Sequence, residues 1–539
     1  MLEVDTFELA AVDALPQLMV YSFHVQARAG EAIEPALYPA LAESLLASRA
    51  GDAQKDPYAA LTLAAGLRWR EVDVVRTYGN YASQVGAVPS RLAPVRALLA
   101  YPKVPRLLVQ LFHARFSPDE KASKAEVEAI RQALAAELEQ VSSLADDRAL
   151  RRLMGLIDGT VRTNYFRHGA ADPSFRSGGV PYISIKVRSA DVDELRKTRL
   201  LYEVYVHSSR MEGVHLRGAP VSRGGIRWSD RHDDFRTEVM GLVQTQVVKN
   251  ATIVPSGSKG GFITKRQFAD RDQMMEEARQ QYMTLMRGLL DLTDNLVDGK
   301  VVPPPRVVRH DGDDPYLVVA ADKGTAHLSD TANAVAAEYG FWLDDAFASG
   351  GSQGYDHKKE GITARGGWEC VKRHFREMGT DIQTTPFTVA GIGDMSGDVF
   401  GNGMLLSPVI RLIAAFDHRH IFIDPDPDTA RSFAERQRMF DLPRSSWADY
   451  DPAVLSEGAM IVPRASKEIE LTPQARAALG LPDDVERLDG EGLVRAVLMA
   501  PVDLLWNGGI GTYVKDAEET NADAGDTTND PVRIDADDL

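Results

Sequence analysis

The residues best placed to do chemistry lie in SRGGIRWSDRHDDFRTEVMGLVQTQVVKNATIVPSGSKGGF, residues 222–262. Val239, Leu242, Val243 and Val247 recur at helical spacing, and Gln246 and Lys249, three apart, share another face of that helix. The run ATIV reads as a strand leading into PSGSKGG, a loop of small residues around Lys259. Singly these are ordinary surface lysines and an ordinary turn. Together Arg223, Arg227, Lys249 and Lys259 form a set of cations suited to a dicarboxylate. A second element, YLVVAADKGTAHLSD, ends an apolar run at Asp322. An acid at the C-terminal end of a strand, where α/β sheets place ligands, is a candidate proton shuttle; the alternative is a helix cap.

A third element suits a phosphate ligand. In TVAGIGDMSG the apolar run Phe387–Ala390 precedes Gly391, Gly393 and Gly397, with Asp394, Met395 and Ser396 inside the turn. Apolar residues at 399–410 and the run IFID (421–424) follow, giving strand, turn, helix, strand. Glycines suit a tight turn that brings backbone N–H groups onto a pyrophosphate. Asp424, ending the second strand, is placed to accept from a ribose 2′-hydroxyl and to repel a 2′-phosphate, which favours NAD over NADP. Arg419 and Arg431 leave that preference open. Asp424, Asp426, Asp428 and Glu435 sit at calcium-loop spacing, but position 6 is Thr429 and two prolines interrupt the run, so no metal is expected. HDGDD (310–314) reads as an acidic loop.

Around these elements the chain of 539 residues changes texture. Residues 1–170 are rich in Ala, Leu and Arg at helical spacing and read as a mainly helical region. Short β-type runs follow, making 171–370 an α/β substrate-binding domain, and βαβ alternation makes 371–515 a Rossmann-like, doubly wound dinucleotide-binding domain. Residues 516–539 carry nine acids and read as a weakly ordered acidic tail. The fold class is therefore α/β. With 61 Lys+Arg against 78 Asp+Glu the net charge is −17, which disfavours nucleic acid and anionic membranes as partners. The longest uncharged stretches are too short for the roughly 20 residues of a membrane span, and with a single cysteine and an acidic N-terminus a cytoplasmic location is expected. Serine-hydrolase, zincin and Walker A motifs are all absent from the sequence.

The long motifs GGIRWSDRHDDFRTEVMGLVQTQVVKNATIVPSGSKGGF, VVAADKGTA, SGGSQGYDHKKEGITARGGWECVKRHF, VAGIGDMSGDVFGNGMLLS and VDLLWNGGIGTYVK resemble the large NAD-specific glutamate dehydrogenases over roughly residues 200–515. That resemblance implies reversible oxidative deamination of L-glutamate to 2-oxoglutarate and ammonia with NAD as cofactor, in a homo-oligomeric full-length enzyme. It implies that Lys249 and Gln246 hold the α-carboxylate, Lys259 is the catalytic base and Asp322 shuttles protons. Arg223 stands where smaller relatives carry a lysine for the distal carboxylate. Thr363, in EGITARGG, matches a threonine near the nicotinamide if one residue is inserted, and Asn507, in WNGG, joins the cofactor set. The family's EGGNLG-type stretch is not found before Leu539, so the sequence reads as a C-terminally truncated fragment. The alternatives are another amino-acid dehydrogenase, or a non-catalytic nucleotide-binding or assembly fragment.

Overall fold

The computed structural model describes residues 3–8, 19–24, 33–167, 176–177, 180–249, 256–322, 324–325, 327–354, 357–443, 445–509, 511–524 and 526–539. Side chains are described within these ranges except at 3–8, 19–24, 176–177, 245–249, 321, 357–358 and 527. The chain forms two compact units, Met1–Gly354 and Tyr355–Leu539.

The first unit is built on an eight-stranded mixed sheet. Its strands are β1 (Thr160–Thr163), β2 (Val180–Arg188), β3 (Tyr202–Ser208), β4 (Met211–Arg217), β5 (Ser222–Trp228), β6 (Ser256–Thr264) and β7 (Val318–Ala321), in the order β7-β5-β6-β4-β3-β2-β1, with Arg176–Ser177 paired to β2. β7, β5 and β6 run parallel, and β6 through β1 pair antiparallel. The strands are buried on both faces because helices cover both. On one face helices α1 (Trp69–Gln84), α2 (Leu144–Gly159) and α3 (Phe235–Lys249) pack Tyr81, Leu153, Val239 and Val243 against Ile185, Tyr205, Leu216 and Ile263. On the other, α4 (Arg271–Leu290) and α5 (Ser329–Glu338) pack Tyr282, Leu285 and Val335 against Val206, Ile226, Phe262 and Val319.

Composition changes near residue 170, yet the helices before it and the sheet after it share one apolar core and one compact unit. A short antiparallel hairpin, Glu3–Glu8 with Met19–His24, also lies in the region read as helical. The HDGDD loop turns inward. Asp311 accepts from Arg162 Nε and Lys186 Nζ, both at 2.6 Å, and Asp314 accepts from Lys186 Nζ at 2.7 Å and Arg217 Nη1 at 2.6 Å. All five side chains are buried, so the loop neutralises three cations on neighbouring strands that burial would otherwise penalise.

The second unit has a five-stranded sheet of β8 (Phe387–Ile392), β9 (Ile410–Phe416), β10 (His420–Ile423), β11 (Met460–Pro463) and β12 (Leu504–Asn507), ordered β11-β10-β9-β8-β12. β9, β8 and β12 are parallel; β10 and β11 add antiparallel. Helix α6 (Ile362–Glu377) places Trp368 and Phe375 over Phe387 and Val389, and α8 (Gly490–Leu498) places Leu493 and Val497 over Ala390, Ile392 and Phe416. This is a Rossmann-like three-layer arrangement with a parallel centre and an antiparallel edge. The acidic stretch after residue 515 is partly folded onto it. Val514–Lys515 pairs with Ile534–Asp535, and Val532 and Ile534 are buried.

Candidate active site and glycine turn

Lys259 lies in the fourth position of β6 rather than in a loop. The stretch SGSKGG lacks β-formers because its neighbours leave little room for side chains. A Cβ on Gly261 would sit 2.6 Å from Val239 Cγ2 of α3, and one on Gly224 would sit 1.5 Å from the Ser258 carbonyl oxygen. In the parallel register Arg227 pairs with Gly261, so Arg227, Gly261 and Lys259 share the sheet face that α3 covers. β7 pairs with β5 through Ala321 and Ile226, and Asp322, the next residue, comes level with Arg227.

Three strands thus deliver one charge cluster. Lys259 Nζ is ion-paired with Asp322 Oδ2. Arg227 approaches the same carboxylate side-on, with Nε 3.4 Å from Oδ2 and Nη2 3.4 Å from Oδ1. From α3, Glu238 accepts from Arg227 Nη1 at 2.8 Å and from Ser229 Oγ at 2.6 Å. Asp322 is fixed through its backbone: its N–H donates to Thr325 Oγ1 at 3.1 Å, and that buried hydroxyl donates to the Ile226 carbonyl at 2.6 Å. Gly324, at φ 81°, makes the turn between them possible. Arg223, four residues before Arg227 on the same face of β5, donates to Ser349 Oγ at 3.1 Å.

The start of α3 is clamped by the helical region. Gln84 accepts from the Arg236 N–H at 3.3 Å and donates to the carbonyls of His232 and Asp233 at 3.3 and 3.2 Å. Buried Glu203 accepts from Arg236 Nε and Tyr81 OH, both at 2.8 Å. The backbone of α3 includes Gln246 and Lys249; their side chains, like the residues of ATIV (251–254), lie outside the described structure.

In the second unit the glycine turn follows β8 at the C-terminal end of the parallel strands. Gly391 and Gly393 lie against Phe400, where added Cβ atoms would come within 2.5 and 2.7 Å of its ring and Cβ, and Gly393 adopts φ 138°. Helix α7 (Asp398–Gly403) follows, with Met395 fully buried beneath the turn. Asp394 Oδ1 accepts from the N–H groups of Ser396 (2.9 Å) and Gly397 (3.1 Å) and from Ser396 Oγ (2.6 Å). Two N–H groups expected to face a phosphate are therefore taken by the chain's own carboxylate. Asn507 ends β12, level with Ile392, and Thr363 is exposed in the first turn of α6.

The strand that returns parallel to β8 is Ile410–Phe416, not IFID, which folds back as the antiparallel β10. This corrects the place of Asp424. The Gly393 N–H donates to the Phe416 carbonyl, whereas the Asp424 N–H donates to that of Ile413, three residues or roughly 10 Å back along β9. Asp424 is buried, its carboxylate accepts from Ser456 Oγ and N–H, and burial raises its pKa. Asp417, directly after β9, occupies the strand-end position. Its Oδ1 accepts from the N–H groups of Arg419 and His420, both at 2.6 Å, while Oδ2 is buried with no hydrogen-bond partner. Asp394, Asp417 and His418 bring ligand atoms within 4.8 Å of one another. With Asp394 Oδ1 already accepting three hydrogen bonds, the set suits a hydroxyl donor better than a metal ion.

The sequence reading missed Glu238, Thr325 and Asp417. Glu238 sits one residue before the apolar stripe at Val239; Thr325 and Asp417 carry signals only once the strands on either side are paired.

Comparison with known proteins places these features in a family. Residues 133–539 match the family described as bacterial NAD-glutamate dehydrogenase, catalytic domain, and residues 53–118 match glutamate dehydrogenase, helical motif 3. NAD-specific glutamate dehydrogenases of Halomonas elongata and Mycobacterium tuberculosis are 53% and 51% identical over 91% and 99% of this chain. The one of Pseudomonas aeruginosa is 52% identical over 91%. Those alignments cover 30%, 34% and 30% of the relatives, so the chain spans about a third of the length of the curated relatives it matches. The chain belongs to the bacterial NAD-glutamate dehydrogenase catalytic-domain family.

Proposed function

We propose that this chain carries the catalytic core of an enzyme that oxidatively deaminates L-glutamate to 2-oxoglutarate and ammonia with NAD. The observation that carries the reading is the Lys259–Asp322 ion pair at the C-terminal side of parallel strands, with Arg227 beside it. The first unit would hold the amino acid and the second, which includes all of α6, the dinucleotide. Arg223 is the ligand for the distal carboxylate, and Gln246 and Lys249 hold the α-carboxylate. Bound NAD supplies a hydride acceptor, which leaves the substrate as an iminium. Lys259, having passed a proton to Asp322, takes one from the water that attacks the iminium carbon, and Asp322 delivers its proton to the departing nitrogen, so that ammonia leaves. Direct contact of Nζ with Oδ2 gives that proton a one-step path.

On the dinucleotide side, the buried acceptor Asp417 Oδ2 fits an adenosine ribose hydroxyl and disfavours a 2′-phosphate. Gly391, Gly393, Asp394, Met395, Ser396 and Gly397 form the turn beside it, with Thr363 and Asn507 toward the nicotinamide. The enzyme is read as a cytoplasmic homo-oligomer; among the described residues no helix is long and apolar enough to cross a membrane. The test is NADH or NADPH formation by the purified protein with L-glutamate, leucine or phenylalanine, and with NAD or NADP. Glutamate with NAD should give turnover at least about tenfold above any other pair, since a site built for the distal carboxylate rejects substrates lacking it. Equal rates with an apolar amino acid would refute the assignment.

A further inference from the structure

We infer that Glu238 is a positioning residue for the proton shuttle: by engaging Arg227 it holds that guanidinium back from Asp322, leaving Asp322 Oδ2 to Lys259. The inference rests on the function proposed above. Its basis is an asymmetry in how one guanidinium is shared between two carboxylates. Arg227 lies 2.8 Å from Glu238 Oε1, the distance of a full charged hydrogen bond, but 3.4 Å from both oxygens of Asp322. A side-on arginine free to move would close the remaining half-ångström and form a bidentate pair, since such pairs settle near 2.7–2.9 Å. Glu238 prevents this because it cannot itself give way. Its second oxygen is held by Ser229 Oγ at 2.6 Å, and its helix is pinned by Val239 against Gly261 and by Gln84 at the first turn. Among the charged groups facing Asp322 are Lys259 from β6 and Arg227 from β5, with Glu238 of α3 behind Arg227.

The arrangement keeps the shuttle able to accept a proton. If Arg227 closed fully onto Asp322, its guanidinium would hold the carboxylate as an anion through two short charged hydrogen bonds and compete with Lys259 for Oδ2, weakening Asp322 as a base. Glu238→Gln keeps the shape and removes the charge that draws Arg227 away. It should lower kcat for glutamate about tenfold or more, change KM for glutamate less than about twofold, and move the acid limb of the kcat–pH profile down by about half a unit or more. Glu238→Asp should restore part of kcat, and Ser229→Ala, which frees only one oxygen, should give a smaller shift in the same direction. NADH binding, read by fluorescence, should not change. A Glu238→Gln enzyme with kcat within twofold of wild type and an unmoved acid limb would overturn the inference. The ligand-free crystal structure of Glu238→Gln separates this from the function itself. Arg227 drawn onto Asp322 supports the positioning role even if wild type forms no NADH with glutamate, and Arg227 still 3.4 Å away overturns it whatever the activity.

Discussion

Thr325 offers a sharp test of how the fold positions Asp322, because the residue touches the site only through backbone. Its buried hydroxyl accepts the Asp322 N–H at 3.1 Å and donates to the Ile226 carbonyl at 2.6 Å, tying the end of β7 to β5. Thr325→Val preserves shape and removes both bonds. Each buried polar group left without a partner costs about 1–3 kcal/mol, so the first unit should lose roughly 2–5 kcal/mol, read as a lower denaturant midpoint. The larger effect should be on turnover: a displacement of Asp322 of about 1 Å from Lys259 and Arg227 is enough to lower kcat about 100-fold. Urea titration measures the first quantity and glutamate-dependent NADH formation the second. Thr325→Ser, which keeps the hydroxyl, should recover most of kcat. If Thr325→Val loses stability but keeps wild-type kcat, the hydroxyl is a fold element only and the argument that it places the carboxylate fails.

Gly391→Ala would put a Cβ 2.5 Å from the Phe400 ring in a strand that cannot shift, so it should destabilise the second unit by about 1–3 kcal/mol and weaken NADH binding; wild-type binding by fluorescence titration would contradict the packing. Asp417→Asn should raise KM for NAD and narrow the preference over NADP by about tenfold, whereas Asp424→Asn should leave the ratio within twofold; the reverse pattern would restore Asp424 to the ribose. Burial alone would raise the pKa of Asp314, but Arg217 and Lys186 outweigh it and hold the carboxyl down at about 2. A depressed carboxylate stabilises the fold above its unfolded pKa near 3.8 and loses that contribution as pH falls toward 2. Stability should therefore drop between about pH 4 and 2 by roughly 2 kcal/mol from this group, and Asp314→Asn should flatten that part of the curve.

Much of the site is legible in sequence where chemistry coincides with a local pattern. VVAAD shows both the strand and the acid that ends it, and the structure places Asp322 directly after Ala321. The glycine turn after Phe387–Ile392 is visible for the same reason. What sequence conceals is pairing. IRLIAAF and HIFI are two strands separated by three residues, and nothing local says that the second folds back antiparallel on the first. That hairpin moves the strand-end acid from Asp424 to Asp417. Composition also misleads where a strand must be thin: PSGSKGG reads as a loop, yet its glycines let α3 and β5 approach, and this closeness puts Lys259 on Asp322.

The buried charges follow from the same physics. A helix read for its apolar stripe leaves Glu238 unassigned, and an acidic turn read for composition leaves Asp311 and Asp314 as solvated loop residues. Each acquires meaning only when the cation it serves is known: Arg227 lies on the strand just before Glu238's helix, whereas Arg162, Lys186 and Arg217 lie on strands far from HDGDD in sequence. A buried charge needs a partner, so a cation placed on an interior face of this sheet obliges a carboxylate to turn inward. In the first unit, one such obligation binds the strands through HDGDD, and another, Glu238 with Arg227, settles how much of Asp322 is left for Lys259.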